Sequence, residues 1–595
     1  MAQPTMMVTA AGTDYVFPLL PIAKDPVTKA DIYYQQGVLK GFPDPVPTSG
    51  IVSLQNYLGN SVVEFRTPWS IGLRTLFLPG YVYDEQNVNS MFPSLLTLGP
   101  LNRADTFTGG PTTFKADVGI GFRETEDGTL WMMGQGGANN DETLWYLDTD
   151  ALTWVNATAE ADITTSDDST VTGMTGIVFI NGSYYAIRRD PHSIVGAQRK
   201  WTVRSSDKTT WVLDKSGAGD EHATQVSDPT MFLEHIDDVL YAVGRLNNTR
   251  ITIKKKTVAG DNAYTTVVTI QEGTDSAPRG FVKWHDAANV TDFFLSTKIG
   301  LYHFDVSAST INLVRRWRTP TSAYTGQLVV DNDNDRLIFT DGPNIGTVHW
   351  SDIGTLAVEY LGPAWLSRAG RPWYGLPLAK TGDVTAISIS KTQPWIYAAV
   401  GGLTASRNAW IGVYDYSLGQ WHCPYIGPVA QRAITAVYEF ADNLRFMEEQ
   451  AAGGDQDPRR FVGITSNPQV DTALGFAAGG LGGGSSDSYV DLTNFDGYAA
   501  YLAKNFLKLR LVGTSIDTNE YAIAAFTFDG GAQGTSQNIQ TNSGAVWSDG
   551  ATALGTSARY WTTRLALIRG GTNTNTPKIY SVAYDYKVKA LKDNG

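Results

Sequence analysis

Five polar residues in a row, Asp331-Asn-Asp-Asn-Asp335, are the nearest the sequence comes to a metal loop. Carboxylates at the first, third and fifth positions begin a calcium loop, because a hard cation needs several oxygen ligands from one short turn. The loop then fails, since Arg336 stands where the turn needs Gly and Gly342 where it needs a bidentate Glu. What remains is a polar hairpin tip between Leu328-Val-Val330 and Leu337-Ile-Phe339, with any ion there weak and structural. The histidines, His192, His222, His235, His285, His303, His349 and His422, never stand four apart as a metal pair. Each reads as a packed or surface imidazole. Cys423 is the one cysteine, so it forms no intrachain disulfide, and its neighbour His422 points to the opposite face of any strand they share. Gly479 to Gly484 lacks the Lys-Ser/Thr of a phosphate loop.

Glycoside hydrolysis by two carboxylates is the enzymatic chemistry left to weigh. The 59 acidic residues make coincidental pairs inevitable. Arg368, Arg371, Arg432 or Arg459 would serve an acidic sugar without forming a motif. Trp365, Trp373, Tyr374 and Trp395 would stack on sugar rings in a receptor-binding module, although packing between sheets is the commoner fate of such residues. The residues therefore assign no catalytic, cofactor-binding or metal site, and the expectation is a chain without enzymatic activity or cofactor.

The elements that would position any site are strands. Charged residues make up only 18% of the chain and aromatics 11%, with 60 Gly, which suits short strands joined by many turns. Helical periodicity is nearly absent, with short candidates such as Ala436 to Met447. A net charge of −13, with basic residues scattered, disfavours a grip on nucleic-acid phosphates. Lys254-Lys255-Lys256 and Arg315-Arg316 are the densest basic runs and read as solvated strand ends. No apolar run is long enough to span a membrane, and the first fourteen residues lack the pattern of a secretory signal, so synthesis in the cytoplasm is expected.

Residues 1–50 are rich in proline (Phe17-Pro18-Leu19-Leu20-Pro21, then Phe42-Pro43-Asp44-Pro45-Val46-Pro47) and read as an extended N-terminal arm that wraps a neighbour, or as a disordered tail. From 51 to 470, strand-like runs alternate with turn clusters. Asn181-Gly182 between two apolar runs marks a hairpin. Three segments align: Leu144-Trp-Tyr-Leu-Asp148 with Trp154, Gly300-Leu-Tyr-His-Phe-Asp305 with Ile311, and Gly412-Val-Tyr-Asp415 with Trp421. In each, an aromatic strand ends in Asp, which caps a turn, and a bulky residue returns six positions later. A Gly-rich linker is expected at 471–488 and an antiparallel β-sandwich at 489–595, carried by Phe506-Leu-Lys-Leu-Arg-Leu-Val512, Tyr521–Phe528, Trp561–Ile568 and Ile579–Val588.

The three aligned corners resemble those of kelch-like β-propeller blades, and Arg204-Ser-Ser-Asp-Lys-Thr-Thr-Trp211 resembles the Asp-box turn of sialidase-like propellers, without its usual Gly. An all-β chain follows, with an irregular β-propeller of about six or seven blades at 113–156, 173–214, 229–270, 280–318, 326–360 and 383–427 and another from flanking sequence. An irregular stack of sandwiches is the rival. The stretch Tyr489 to Val588, with Lys-Leu-Arg-Leu-Val-Gly513, Asp529-Gly530-Gly531 and Thr576-Pro-Lys-Ile-Tyr-Ser-Val-Ala-Tyr-Asp-Tyr586, resembles the last domain of phage structural proteins. The whole resembles tail nozzle or hub proteins of tailed bacteriophages. That resemblance implies a virion tail component that partners copies of itself in a symmetric ring and other tail proteins, without membrane insertion or specific nucleic-acid binding, DNA passing through a lumen. The alternatives are a receptor- or glycan-binding tail tip or fibre, and a glycan-cleaving depolymerase.

Overall fold

The computed structural model of the chain describes residues 5–10, 13–24, 31–35, 60–65 and, with gaps, 82–157, 174–214, 232–468 and 474–588. Their regular elements are all β-strands. The chain divides into two units, one of residues 100–466 and one of residues 1–99 with 467–595.

Residues 100–466 form a β-propeller of seven blades. Six are contiguous antiparallel sheets whose inner strands are Gly121–Glu124, Met174–Ile180, Phe232–Ile236, Pro278–His285, Leu328–Asp331 and Val384–Ile389. The seventh is shared between distant parts of the chain. Ile434–Phe440, Asn443–Glu449 and Gln456–Val462 supply three strands, and Arg103–Ala104 pairs with the last of them. The blades touch in sequence round the ring, through their inner strands except between the first and second, where Leu130–Gly136 meets Met174–Ile180; Ile434–Phe440 meets Gly121–Glu124, so the ring is closed. Phe114–Lys115 seals the same joint by pairing with both Gln456–Val462 and Leu130–Gly136.

The six expected blade spans match the observed ones, and the aligned corners explain why. In the first corner Leu147 faces Trp154, in the second Phe304 faces Ile311, and in the third Tyr414 faces Trp421. The Asp of each takes the backbone N–H groups of its own turn, Asp148 from Asp150 at 3.0 Å, Asp305 from Ala308 at 2.8 Å and Asp415 from Ser417 at 2.8 Å. An ionised acceptor for otherwise unpaired N–H groups fixes the turn, and the turn fixes which bulky side chain enters the layer between blades. Asp207 does the same in the Asp-box-like turn, taking the N–H of Thr210 at 2.7 Å, while Lys208 adopts the positive φ of 71°. Apolar clusters fill the spaces between blades, as where Trp131 and Leu144 of the first meet Ile177, Tyr184 and Trp211 of the second.

Ala436 to Met447 is a hairpin, not the short helix its composition allows. Ala441 and Asp442 both have positive φ, which ends one strand and starts the next, and alternate residues pack between the last and first blades.

The other unit holds two five-stranded sheets of antiparallel pairs. One orders Asn60–Phe65, Lys578–Val588, Lys504–Thr514 and Ala545–Trp547, with Ser557–Ala558 beside the third. The second orders Gln537–Ile539, Tyr521–Phe528, Trp561–Ile568, Tyr489–Phe495 and Val82–Gln86. Alternating buried side chains, such as Leu509 and Leu511, give a sheet one apolar face, as a sandwich requires. Residues 51–99, assigned from sequence to the propeller, therefore belong with the C-terminal strands: Val82–Gln86 pairs with Tyr489–Phe495, and Asn60–Phe65 with Lys578–Val588. Such long-range pairs leave no local signature.

The expected arm is also corrected. Thr5–Ala10, Thr13–Lys24 and Asp31–Gln35 form an antiparallel three-stranded sheet. Its central strand tolerates two prolines because Pro18 faces the first residue of the neighbouring strand and Pro21 sits at a register shift. Phe42 to Pro47 and Gly479 to Gly484 lie outside the described residues.

Candidate functional site

The free edges of the inner strands enclose an axial cavity of about 700 Å³. Apolar side chains such as Phe122, Phe232, Val329 and Ile389 form much of its wall, and a few charged ones face one another across it: Arg123, Glu124, Glu234, Arg279, Lys283, Asp333 and Lys391. Polar groups set among apolar wall residues are what orients a small molecule in a concave site.

Two networks organise these charges. Arg123, on the first blade, donates from Nη2 to Glu234 Oε1 of the third at 2.7 Å. Burial pushes the Glu234 carboxyl above the usual range, and the positive charges of Arg123 and Lys283 oppose that push. Glu124 accepts from Tyr438 Oη at 3.2 Å and pairs with Lys391. Burial, and then the charge of Glu124, pushes the Tyr438 hydroxyl well above the ordinary phenol range. The cavity thus holds two carboxyl groups in separate networks, Glu234 paired with Arg123 and Glu124 held by a cation and a phenol.

Arg279 has no hydrogen bond or ion pair among the described residues, and its Nε is sealed from solvent without an acceptor. Gln327, nearby in the wall, donates its amide to Thr385 O at 2.6 Å.

The residues singled out from sequence do not gather here. Arg459 pairs with Glu448 at 3.2 Å, away from the cavity lining, and Arg432 does not line it either. Arg368, Arg371, Trp365, Trp373 and Tyr374 lie on an extra hairpin that lengthens the fifth blade, their side chains outside the described residues. Trp395 is 4% exposed and bonds Asp415, so it packs the sixth blade and offers no sugar platform. Cys423 and His422 are both buried. His235 bonds Glu126 at 2.9 Å, His303 bonds Asp292 at 2.8 Å, and His285 pairs with Asp335 at the polar hairpin tip. His192 and His222 lie outside the described residues. Lys256 corrects one expectation: it is not a solvated strand end but is buried, 2.8 Å from Asp214. The cavity residues escaped sequence reasoning because they come in ones and twos from different blades. Arg123 and Glu234 are 111 residues apart, and only ring closure brings them together.

No protein-family model matches the chain, and no curated protein matches it. Among solved structures it is similar to an exo-β-1,3-galactanase from Phanerochaete chrysosporium, with 13% identity, a TM-score of 0.29, and coverage of 82% of this chain and 100% of that one. It is similar to Sqt1 from Saccharomyces cerevisiae, with 9% identity, a TM-score of 0.38, and coverage of 61% and 88%. It is also similar to an α-L-arabinofuranosidase from Fusarium graminearum, with 14% identity, a TM-score of 0.32, and coverage of 62% and 98%. The neighbours are β-propeller proteins, in keeping with the fold above. Glycoside hydrolases stand among these structures, in contrast to the expectation from sequence of a chain without enzymatic activity.

Proposed function

We propose that this chain is a multicopy component of the tail of a tailed-bacteriophage virion, of the nozzle or hub kind, contributing to a tail wall or tip used in DNA delivery. Its partners are copies of itself in a ring and other tail proteins. One observation carries the reading: the two-sheet unit draws strands from both ends of the chain, and the propeller is an insertion held by two covalent links. A platform closed by both ends resists peeling from either, and it carries the strand set that resembles the last domain of phage structural proteins. Mass photometry of the purified chain, followed by electron microscopy, tests the proposal. Closed rings or tubes of fixed copy number are expected, and a stable monomer would overturn it.

A second reading, a module that engages or cleaves host glycan, is favoured by the axial cavity with Glu124 and Glu234 in separate polar networks. Release of reducing ends from host polysaccharide, abolished in Glu234→Gln, would support cleavage, and adsorption to cells without release would support binding alone.

A further inference from the structure

The charges of the axial cavity do not cancel evenly. Arg123 is matched by Glu234, and Lys391 by Glu124. Asp333 belongs to the exposed hairpin tip. Arg279 and Lys283 remain, four residues apart on the inner strand of the fourth blade. In an extended strand this spacing puts their Cα atoms roughly 13 Å apart, and both residues line the cavity, Arg279 at a register shift of the strand. Lys283 is close enough for its charge to be felt by Glu234, so it is partly compensated. Arg279 is not: no carboxylate among the described residues pairs with it, and its Nε has lost water without gaining an acceptor.

A guanidinium in that state is a poorly satisfied group that a planar anion would satisfy, because its fork of donors matches a carboxylate two bonds at a time. The surroundings favour an anion carried on a small polyol. The side chains of Val282, Val329 and Ile389 offer apolar contact for sugar C–H groups. The amide of Gln327 spends its N–H on Thr385, which leaves its oxygen for a hydroxyl, and Ser388 stands beside it in the wall. A cavity of about 700 Å³ holds a mono- or disaccharide but not a duplex nucleic acid.

We propose that the axial cavity binds the acidic sugar residue of a glycan, a uronic or similar sugar acid, with its carboxylate on Arg279 and Lys283 biasing the approach of the anion. The inference rests on the glycan reading for the sugar, and on Arg279 for the charge. It requires no bond to break.

Isothermal titration of the full chain with D-glucuronate, D-glucose and inorganic phosphate tests it. Saturable glucuronate binding that weakens at least tenfold in Arg279→Gln and severalfold in Lys283→Gln, with no glucose binding, is the expected result. Because Arg279 has no partner to lose among the described residues, the glutamine variant is expected to keep its unfolding midpoint, which separates lost binding from lost fold. Absence of glucuronate binding overturns the inference, as does binding undiminished in Arg279→Gln. Phosphate binding as tight as glucuronate overturns the sugar assignment. Neutral oligosaccharide binding that ignores Arg279 sinks this inference while leaving the glycan reading in place.

Discussion

Arg445 Nη1 lies 2.6 Å from the carboxylate of Asp105, a residue 340 positions earlier in the chain, and neither side chain reaches solvent. The same carboxylate accepts the indole N–H of Trp154 at 2.9 Å and lies 3.4 Å from Arg460. Arg445 also stacks over the Trp154 ring at 5.3 Å. Asp105 immediately follows the strand that completes the seventh blade, and Trp154 belongs to the first, so one buried cluster ties together the two blades that meet where the ring closes. Beside it, Asn102 donates to Tyr425 Oη at 2.8 Å, and Tyr425 to Glu448 at 3.0 Å.

Removing the anion strands a buried guanidinium. Asp105→Asn is expected to cost about 3–5 kcal/mol, the usual penalty for breaking one side of a buried pair. The double variant Asp105→Leu with Arg445→Met should recover much of that loss, since two apolar side chains leave no orphan charge. Urea unfolding of the single and double variants checks both; a single variant within about 0.5 kcal/mol of wild type would show that the cluster does not hold the ring.

Acid should weaken the propeller through His422. Burial pushes this imidazole down to about 4, with the Asp415 carboxylate opposing the shift. The unfolded chain takes up the proton near pH 6.5 and the native one only near 4, so stability falls as pH drops across that window and then levels. The loss is roughly 3 kcal/mol at most. In His422→Gln the slope of stability against pH between 6.5 and 4 should flatten. An unchanged slope would assign the acid sensitivity to other groups.

Gly412 sits where a methyl group has no room. A Cβ there would lie 2.6 Å from the Trp410 ring and 2.8 Å from that of Trp421, both buried. Gly412→Ala is therefore expected to cost about 1–3 kcal/mol by overpacking and to change the near-ultraviolet circular dichroism of the indoles. A wild-type spectrum and midpoint would mean that the sixth blade relaxes freely.

The hairpin at Asn181-Gly182 gives a contrasting case. Gly182 has open space around it but a φ of 78°, so Gly182→Ala should cost about 1–2 kcal/mol through backbone strain alone. Asn181→Gly, at φ 49°, relieves the backbone but loses the 2.8 Å bond that Asn181 donates to Asp238, so its midpoint should shift by no more than the equivalent of about 1 kcal/mol. Thermal unfolding of the two variants separates crowding from strain.

The blades were legible because their information is local: an Asp-capped corner and its returning Trp, or an Asn-Gly hairpin, lie within a dozen residues. The seventh was expected only as a blade from flanking sequence, because no single window contains it; its fourth strand is two residues near position 103. The split sandwich was hidden for the same reason, with Gln86 opposite Tyr489. The proline-rich start misled because Pro18 and Pro21 occupy places where a ladder can spare an N–H. The axial cavity draws single residues from several blades, Arg123, Glu234, Arg279 and Tyr438 among them, and none carries a motif.

Because the two-sheet unit needs strands from both ends, its first strands leave the ribosome long before their partners exist. A nascent chain can complete six blades while Asn60–Phe65 and Val82–Gln86 still lack Lys578–Val588 and Tyr489–Phe495. A product truncated between the propeller and these last strands would keep the ring yet fail to build the platform. The fold thereby acts as its own proofreader, withholding the finished surface from every chain that was not translated to the last strand.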